Sequence, residues 1–525
     1  MSKLLKSLIA SILLIALVFS MTSCFILGDR GAEPSADSFE KAYEEKIDEL
    51  MAGVGNYYDR IGSYKADDMK VNATMSVNLS KELLNIIRSY TSYDFKWLND
   101  AEIQLAENMN NGIVSMALAL VYNDYEVIGA EAIMDFADGN MFLGVPLLNS
   151  KFAEFEGIIT EDELEIVNQI MGVDFTKLLP SEEILGKVSK DVIATIMDSI
   201  DVDQFSFVEK ELDANGVKQS CVEYEVTFTE KELVKIAINI LKMLKSNTNF
   251  KSLICGIIEE YNKIAEDLGV PELGSSNVVY NELKLYISDA IDYMADILHE
   301  CSNKTVIIWT SYITDKLDII GMQLNVMYDG DKATLFAASA QDGDDVGVEV
   351  YFKSGNDKVA GIYGELVDDG KEISGTYELK VYGQSMAFID IEGVDTNKLE
   401  EGYFVGTVIL SPSKKLLESI DDDFDEDFSI AGIALSSLAL KIDIEENNQN
   451  QSKVTISIMS GSSAYASITL DSEISAGEKV TIPNKTTDIY DWAEDLDFDS
   501  LIESIDESGL PDYIVELIEA AIFGY

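Results

Sequence analysis

Two short runs of aspartate carry the residue types that bind a divalent cation. The alternating carboxylates are Asp421, Asp423 and Asp425 in the first run, and Asp495, Asp497 and Asp499 in the second. Hard oxygen ligands at alternate positions suit Ca²⁺. Both runs lack the glycine that a calcium loop wants at its sixth position, so a solvated loop and an acid-rich helix start remain the alternative interpretation.

Nucleophilic chemistry has little support in the sequence. The chain has one histidine, His299, placed at the end of a predicted helix, where it would complement the helix dipole. A serine or cysteine triad would have to use it. The phosphate-loop, zinc-protease and nucleophile-elbow motifs are absent from the sequence. We therefore expect a protein that is not an enzyme; a glycosidase, which needs only two carboxylates, is the class that these motifs do not exclude.

Three cysteines, Cys221, Cys255 and Cys301, are spread through the body of the chain. Cys255 lies early in one predicted helix and Cys301 just after another, so a disulfide between them is geometrically allowed if the helices pack antiparallel. Three buried thiols are the alternative. The chain has no Cys-x-x-Cys or Cys/His spacing, which argues against a structural zinc site. We expect no resident cofactor other than a calcium ion.

The fourth cysteine, Cys24, follows a short apolar segment at the N-terminus. Lys3 and Lys6 precede residues 8–19, which are apolar except for Ser11, and Met21-Thr22-Ser23 lead into the cysteine. A positive start, a short apolar stretch and small residues before a cut are typical of a secretory signal, and the stretch is short for a membrane span. An uncleaved anchor helix is the alternative.

This segment resembles the start of bacterial lipoprotein precursors, whose lipobox ends in a small residue followed by cysteine. Met21 departs from the leucine that is commoner at its position. The resemblance implies cleavage before Cys24 and attachment of diacylglycerol to its thiol. We therefore expect a lipid-anchored protein on the extracytoplasmic face of the cell membrane, since two or more acyl chains are enough for stable anchoring.

The net charge argues against nucleic acid as a binding partner. The 525 residues include 95 acidic and 38 basic side chains, for a formal charge of −57. Nucleic-acid binding needs clustered Lys and Arg, so no nucleic-acid partner is expected. Because 47% of the residues are hydrophobic, the chain can still bury a large core.

The hydrophobic pattern predicts runs of strands separated from runs of helices. Val71, Ala73, Met75, Val77 and Leu79 alternate with polar residues, as do residues 376–381, 438–445 and 454–458. Capping boxes at Thr160–Glu163 and Thr229–Glu232 predict helix starts, and Asn215-Gly216 predicts a hairpin turn. Residues 113–123 match 319–329 in register at isoleucine, methionine, leucine and tyrosine, which indicates either two related halves or a chance likeness of amphipathic strands.

Together these segments predict an α+β fold with two antiparallel, curved, half-barrel-like sheets, a helical middle and a short helical C-terminus. The predicted divisions are a signal peptide over 1–23, a lipidated tether over 24–38, a first sheet with helices over 39–230, a helical segment over 231–302, a second sheet over 303–485 and C-terminal helices over 486–525.

A long antiparallel meander with segregated helices on a lipidated chain resembles the LolA/LppX-like lipoproteins. Residues 215–245 and the tail from Asp491 to Ile502 are also similar to segments of large uncharacterised Gram-positive lipoproteins. The resemblance implies a curved open sheet with helices over its concave face, and a space between them that can hold acyl chains. The alternating strands, one face of which must be covered, lead us to expect binding of an apolar or amphiphilic ligand, or of a partner protein of the envelope, through the sheet. A solute-binding receptor of an importer and a passive envelope scaffold remain the alternatives.

Overall fold

The computed structural model describes residues 34–62, 68–110, 112–136, 138–157, 175–328, 331–420, 429–430, 433–434 and 437–516. The described chain divides into two compact units. Unit 1 takes its residues from 1–59, 175–402 and 412–423, and unit 2 takes them from 60–174, 403–411 and 424–525. Each unit therefore combines separate stretches of the chain. The consecutive domains suggested by the sequence stay a prediction.

The helices have the following bounds in chain order: α1 Ala36–Gly62, α2 Lys81–Thr91, α3 Glu182–Met197, α4 Glu230–Ser246, α5 Thr248–Asp267, α6 Ser276–Ile297, α7 Thr396–Glu400, α8 Lys414–Ile420, α9 Ile489–Glu494 and α10 Phe498–Ser508. Short 3₁₀ turns occupy Lys96–Asp100, Phe175–Leu178 and Val202–Gln204. Within the described residues, no helix is long and apolar enough to cross a bilayer. The predicted signal peptide lies outside those residues.

The strands of unit 1 are β7 Phe205–Ala214, β8 Val217–Thr229, β9 Thr305–Ile313, β10 Ile319–Tyr328, β11 Asp331–Asp342, β12 Asp345–Ser354, β13 Asp357–Asp368, β14 Glu372–Val381 and β15 Gln384–Asp395. Each pairs antiparallel with the next. Hairpins make this possible: Asn215 and Gly216 adopt positive φ angles of 47° and 93°, as the predicted Asn-Gly turn requires.

The strands of unit 2 are β1 Asp68–Leu79, β2 Ala101–Asn110, β3 Ile113–Tyr122, β4 Tyr125–Asp135, β5 Asn140–Gly144, β6 Phe152–Phe155, β16 Gly406–Pro412, β17 Ser429–Ile430, β18 Ile433–Ala434, β19 Leu438–Asn447, β20 Gln451–Ser460, β21 Ser463–Ala476 and β22 Thr486–Asp488. The main sheet runs in the order β16-β19-β20-β21-β1-β2-β3-β4-β5-β6-β22. These pairs are antiparallel except β6–β22, which is parallel.

The main core of unit 1 lies between one sheet face and three helices. Phe39 and Tyr43 of α1 are buried against β8, β9 and β10, and Ile193 of α3 joins the same cluster. Leu233 and Ile236 of α4 pack on the adjoining part of these strands. Helix α4 begins at the predicted capping box, in which Thr229 and Glu232 each accept a hydrogen bond from the other's backbone N–H.

The structure confirms a mixed α+β fold with mostly antiparallel strands. The curvature and half-barrel form of the sheets remain a prediction. The capping box at Thr160–Glu163 lies outside the described residues. Both segments of the proposed repeat form ten-residue strands, β3 and β10, each paired antiparallel on both sides.

Candidate functional site

One face of the unit 2 sheet carries large aliphatic side chains that remain open to solvent. The alternation of apolar and polar residues places every second side chain on this face. Register then aligns the apolar positions of neighbouring strands: Met75 of β1 lies opposite Ile103 on one side and Leu470 on the other. Leu105 of β2 lies opposite Leu118 of β3. The result is a continuous apolar surface assembled from strands far apart in sequence.

We name the exposed members of this surface the apolar stripe. It comprises eleven side chains, each 37–51% exposed: Met75, Ile103, Leu105, Met116, Leu118, Leu410, Leu440, Ile456, Ile458, Ile468 and Leu470. The stripe crosses seven neighbouring strands, from β16 to β3. At a strand spacing of about 4.8 Å, it is roughly 29 Å long.

Part of the same face is covered by a unit 2 helix, α10. Leu501 and Ile505 of α10 are buried in one cluster with Ala101 and Tyr122, and Leu120 packs against that cluster. Helix α2 begins one residue after β1 with Ser80 as its N-cap, and its Ser80 N–H donates to the Tyr465 carbonyl oxygen at 2.8 Å.

The repeat segments give an internal comparison for this exposure. Met116 and Leu118 of β3 are each 51% exposed. Their counterparts in β10, Met322 and Leu324, are 4% and 3% exposed, because α1, α3 and α4 cover that face in unit 1. The same residue types at matching positions are thus covered in one unit and open in the other.

The covered face in unit 1 is chemically different from the stripe. The Tyr43 hydroxyl shares a hydrogen bond of 2.7 Å with Ser311, and Ser38 shares one of 3.2 Å with Tyr224. Burial raises the pKa of Tyr43 well above its ordinary value. Aromatic rings also meet there, with Phe39 and Trp309 edge to face at 5.3 Å. The stripe, by contrast, consists only of Ile, Leu and Met.

Few polar residues share the face of the stripe. Glu107 is opposite Met116 and Val71, one step beyond Leu105 along β2. Ser472 is opposite Ser452, one step beyond Leu470 along β21. At the face positions of these seven described strands, Glu107 is the one charged residue. The face therefore presents mostly aliphatic carbon, with isolated polar residues among the apolar ones.

The aspartates of the second run interact with neighbouring residues and with the start of α10 in unit 2. Asp495 accepts a salt bridge from Lys151 at 3.2 Å. Asp497 is the N-cap of α10. Its carboxyl accepts from the Ser500 hydroxyl at 2.7 Å and from the Ser500 N–H at 3.1 Å, and these hydrogen bonds lower its pKa. Asp499 lies in the first turn of that helix. These roles match the acid-rich helix start that the sequence offered as the alternative.

A metal site gains no support from the described part of the chain, where no three His, Cys, Asp or Glu side chains come together as a ligand group. Asp421, Asp423 and Asp425 lie outside the described residues. The calcium site therefore stays a prediction.

The cysteines and the histidine have ordinary surroundings. Cys221, Cys255 and Cys301 are free thiols in the structure, and the predicted Cys255–Cys301 disulfide stays a prediction. Cys301 donates to the Ile297 carbonyl oxygen at 3.3 Å. His299 lies exposed in the turn after α6. Cys24 lies outside the described residues.

Sequence reasoning identified the alternation in β1, β19 and β20 but not the stripe itself. Alternation predicts that a strand has an apolar face, whereas exposure depends on which helices lie over that face. The available signal was the absence of aromatic residues from these strands' apolar positions, which contrasts with Tyr224 and Trp309 on the covered strands β8 and β9.

Comparisons of this chain with protein-family models and with curated proteins find no match.

Proposed function

We propose that this protein is a membrane-anchored, extracytoplasmic lipoprotein without enzymatic activity that binds an apolar or amphiphilic ligand on the apolar stripe of unit 2. The observation that carries the proposal is the exposure of eleven aliphatic side chains on one sheet face. The lipobox-like residues before Cys24 support the anchor.

Uncovered apolar surface of this extent has an energetic cost. Contiguous exposed apolar patches larger than a few hundred Å² mark binding sites in most soluble proteins. The matching strand β10 in unit 1 is covered by the protein's own helices, which shows how the same kind of face is stabilised when a second layer is present. A ligand would supply that layer in unit 2.

The antiparallel pairing favours this function over an importer receptor. A solute-binding receptor made of two α/β lobes would carry parallel sheets flanked by helices. Both units instead contain antiparallel meanders.

The anchor is tested by growing cells that express the full chain or its Cys24→Ala variant with an alkyne-tagged fatty acid. We expect label on the original chain and none on the variant. Equal labelling of the two chains would show that Cys24 is not the lipidation site.

The ligand is tested by purifying the full chain from membranes in mild detergent and recording native mass spectra. We expect adducts with lipid masses that survive removal of the detergent, in addition to the covalent anchor. A spectrum with the anchored chain alone, under conditions that retain added lipid on a known lipid-binding control, would contradict the ligand proposal.

A further inference from the structure

We propose that the ligand is an acyl lipid whose head group carries no net negative charge, and that Glu107 sets this selectivity. The inference rests on the proposed function and adds the chemical class of the ligand. It commits to a lipid with aliphatic chains, lying on the stripe with its polar part toward Glu107, Ser472 and Ser452, which are polar residues of the same face.

The composition of the stripe favours acyl chains over a helix of a partner protein. Where a helix covers the sheet of unit 1, the face offers aromatic rings and hydroxyl partners, as in the Tyr43–Ser311 hydrogen bond of 2.7 Å. The stripe offers neither, since all its members are Ile, Leu or Met. Saturated carbon chains need no hydrogen-bond partners, and flexible Met side chains such as Met75 and Met116 adapt to irregular apolar ligands.

The length of the stripe is also compatible with acyl chains. The hydrocarbon core of a bilayer is about 30 Å thick, so one leaflet's chain spans roughly 15 Å. A stripe of roughly 29 Å across seven strands therefore accommodates chains laid along its length.

The polar residues beside the stripe give the head-group preference. Glu107 lies on the same face as Leu105 and faces Met116 across the β2–β3 pair, so a head group placed beside the stripe meets its carboxylate. The nearby hydroxyls of Ser472 and Ser452 suit an uncharged polar group. No Lys or Arg occupies a face position of these seven described strands, so an anionic head group would find no cationic partner there. Like charges at short range repel, and the net charge of −57 adds to that effect.

The chain offers a matched control on the same strand. Glu102 and Glu107 both belong to β2 and are both half-buried, but Glu102 lies on the opposite face, across from Ser76 and Val121. Glu102→Gln and Glu107→Gln change the net charge by the same amount. Only the second removes a charge beside the stripe.

The experiment measures binding of three fluorescent lipids with identical acyl chains, a diacylglycerol, a phosphatidylcholine and a phosphatidylglycerol, to the full chain in neutral detergent micelles. We expect the phosphatidylglycerol to bind at least tenfold more weakly than the other two. Glu107→Gln should narrow this difference several-fold, and Glu102→Gln should leave it unchanged. High salt should narrow it too, because exposed charges are screened.

Two results would overturn the inference: equal binding of all three lipids, or equal effects of the two Glu→Gln variants, which would assign the selectivity to net charge. Either result leaves the proposed function standing, since lipid still binds. Failure of all three lipids to bind would instead refute the proposed function itself, and a partner protein would then have to cover the stripe.

Discussion

Replacing Leu105 and Leu118 together with threonine should weaken lipid binding without unfolding the protein. The two side chains lie directly opposite each other on β2 and β3, near one end of the apolar stripe. They are 45% and 51% exposed, so about half of each is available to a ligand. Threonine is chosen because its branched side chain suits a strand.

The magnitude follows from the exposed area. Full burial of a leucine side chain is worth about 2 kcal/mol, so the exposed half of each residue contributes about 1 kcal/mol when a ligand covers it. The pair then contributes about 2 kcal/mol, which is a change in Kd of roughly 30-fold. The other half of each side chain contributes to folding, so the free energy of unfolding should fall by no more than about 2 kcal/mol.

The assay is a titration of the full chain with a fluorescent diacyl lipid in micelles, accompanied by circular dichroism and urea unfolding. Val208→Thr is the matched control, because Val208 is a 55% exposed strand residue in β7, outside the stripe. It should leave Kd unchanged. Ligand should also raise the urea midpoint of the original chain more than that of the double variant, since ligands stabilise the state that binds them.

A double variant that remains folded and binds lipid as tightly as the original chain would refute the assignment of the site. An equal loss of affinity in Val208→Thr would do the same, because it would show that the effect does not depend on the stripe.

Four further predictions concern unit 1, whose sheet face is covered by helices. Thr229→Ala should lower the free energy of unfolding by about 1 kcal/mol in urea titrations, because it removes the side-chain acceptor at the start of α4. Tyr43→Phe should cost about 1–2 kcal/mol, because it leaves the buried Ser311 hydroxyl without its 2.7 Å partner. Since burial raises the pKa of Tyr43, the unfolded chain loses that proton first as the pH rises; stability should therefore fall above about pH 10, and less steeply in Tyr43→Phe. Burial raises the pKa of the Cys221 thiol to about 11, so iodoacetamide at pH 8 should alkylate Cys255 well before Cys221 in the native protein, as read by peptide mass spectrometry; equal rates would contradict the burial of Cys221.

Much of the local structure could be predicted because it depends on short-range chemistry. The Asn215-Gly216 turn requires residues that tolerate positive φ, and the Thr229–Glu232 box satisfies helix N–H groups within four residues. The strand alternation at 438–445 follows from the two-residue period of a sheet. These features need no knowledge of distant segments.

The assembly of the candidate site could not be predicted in this way. Strand β21 pairs with β1 although nearly 400 residues of chain separate them, and this pairing places Leu470 beside Met75. Periodicity identifies the apolar side of each strand but does not say which strands will be neighbours. The role of Asp497, from the second aspartate run, as the N-cap of α10 likewise depends on where that helix starts.

The sequence by itself determined the α+β class, the antiparallel hairpins, the acidic surface and the expectation of a lipid anchor at Cys24, because composition, periodicity and short motifs act locally. Only the tertiary structure decided which apolar face is covered. Met322 and Leu324 are buried because three helices pack over β10, whereas Met116 and Leu118 stay exposed in the matching strand β3. The residue types are the same, so the difference arises from packing between distant segments, and that difference marks the proposed site.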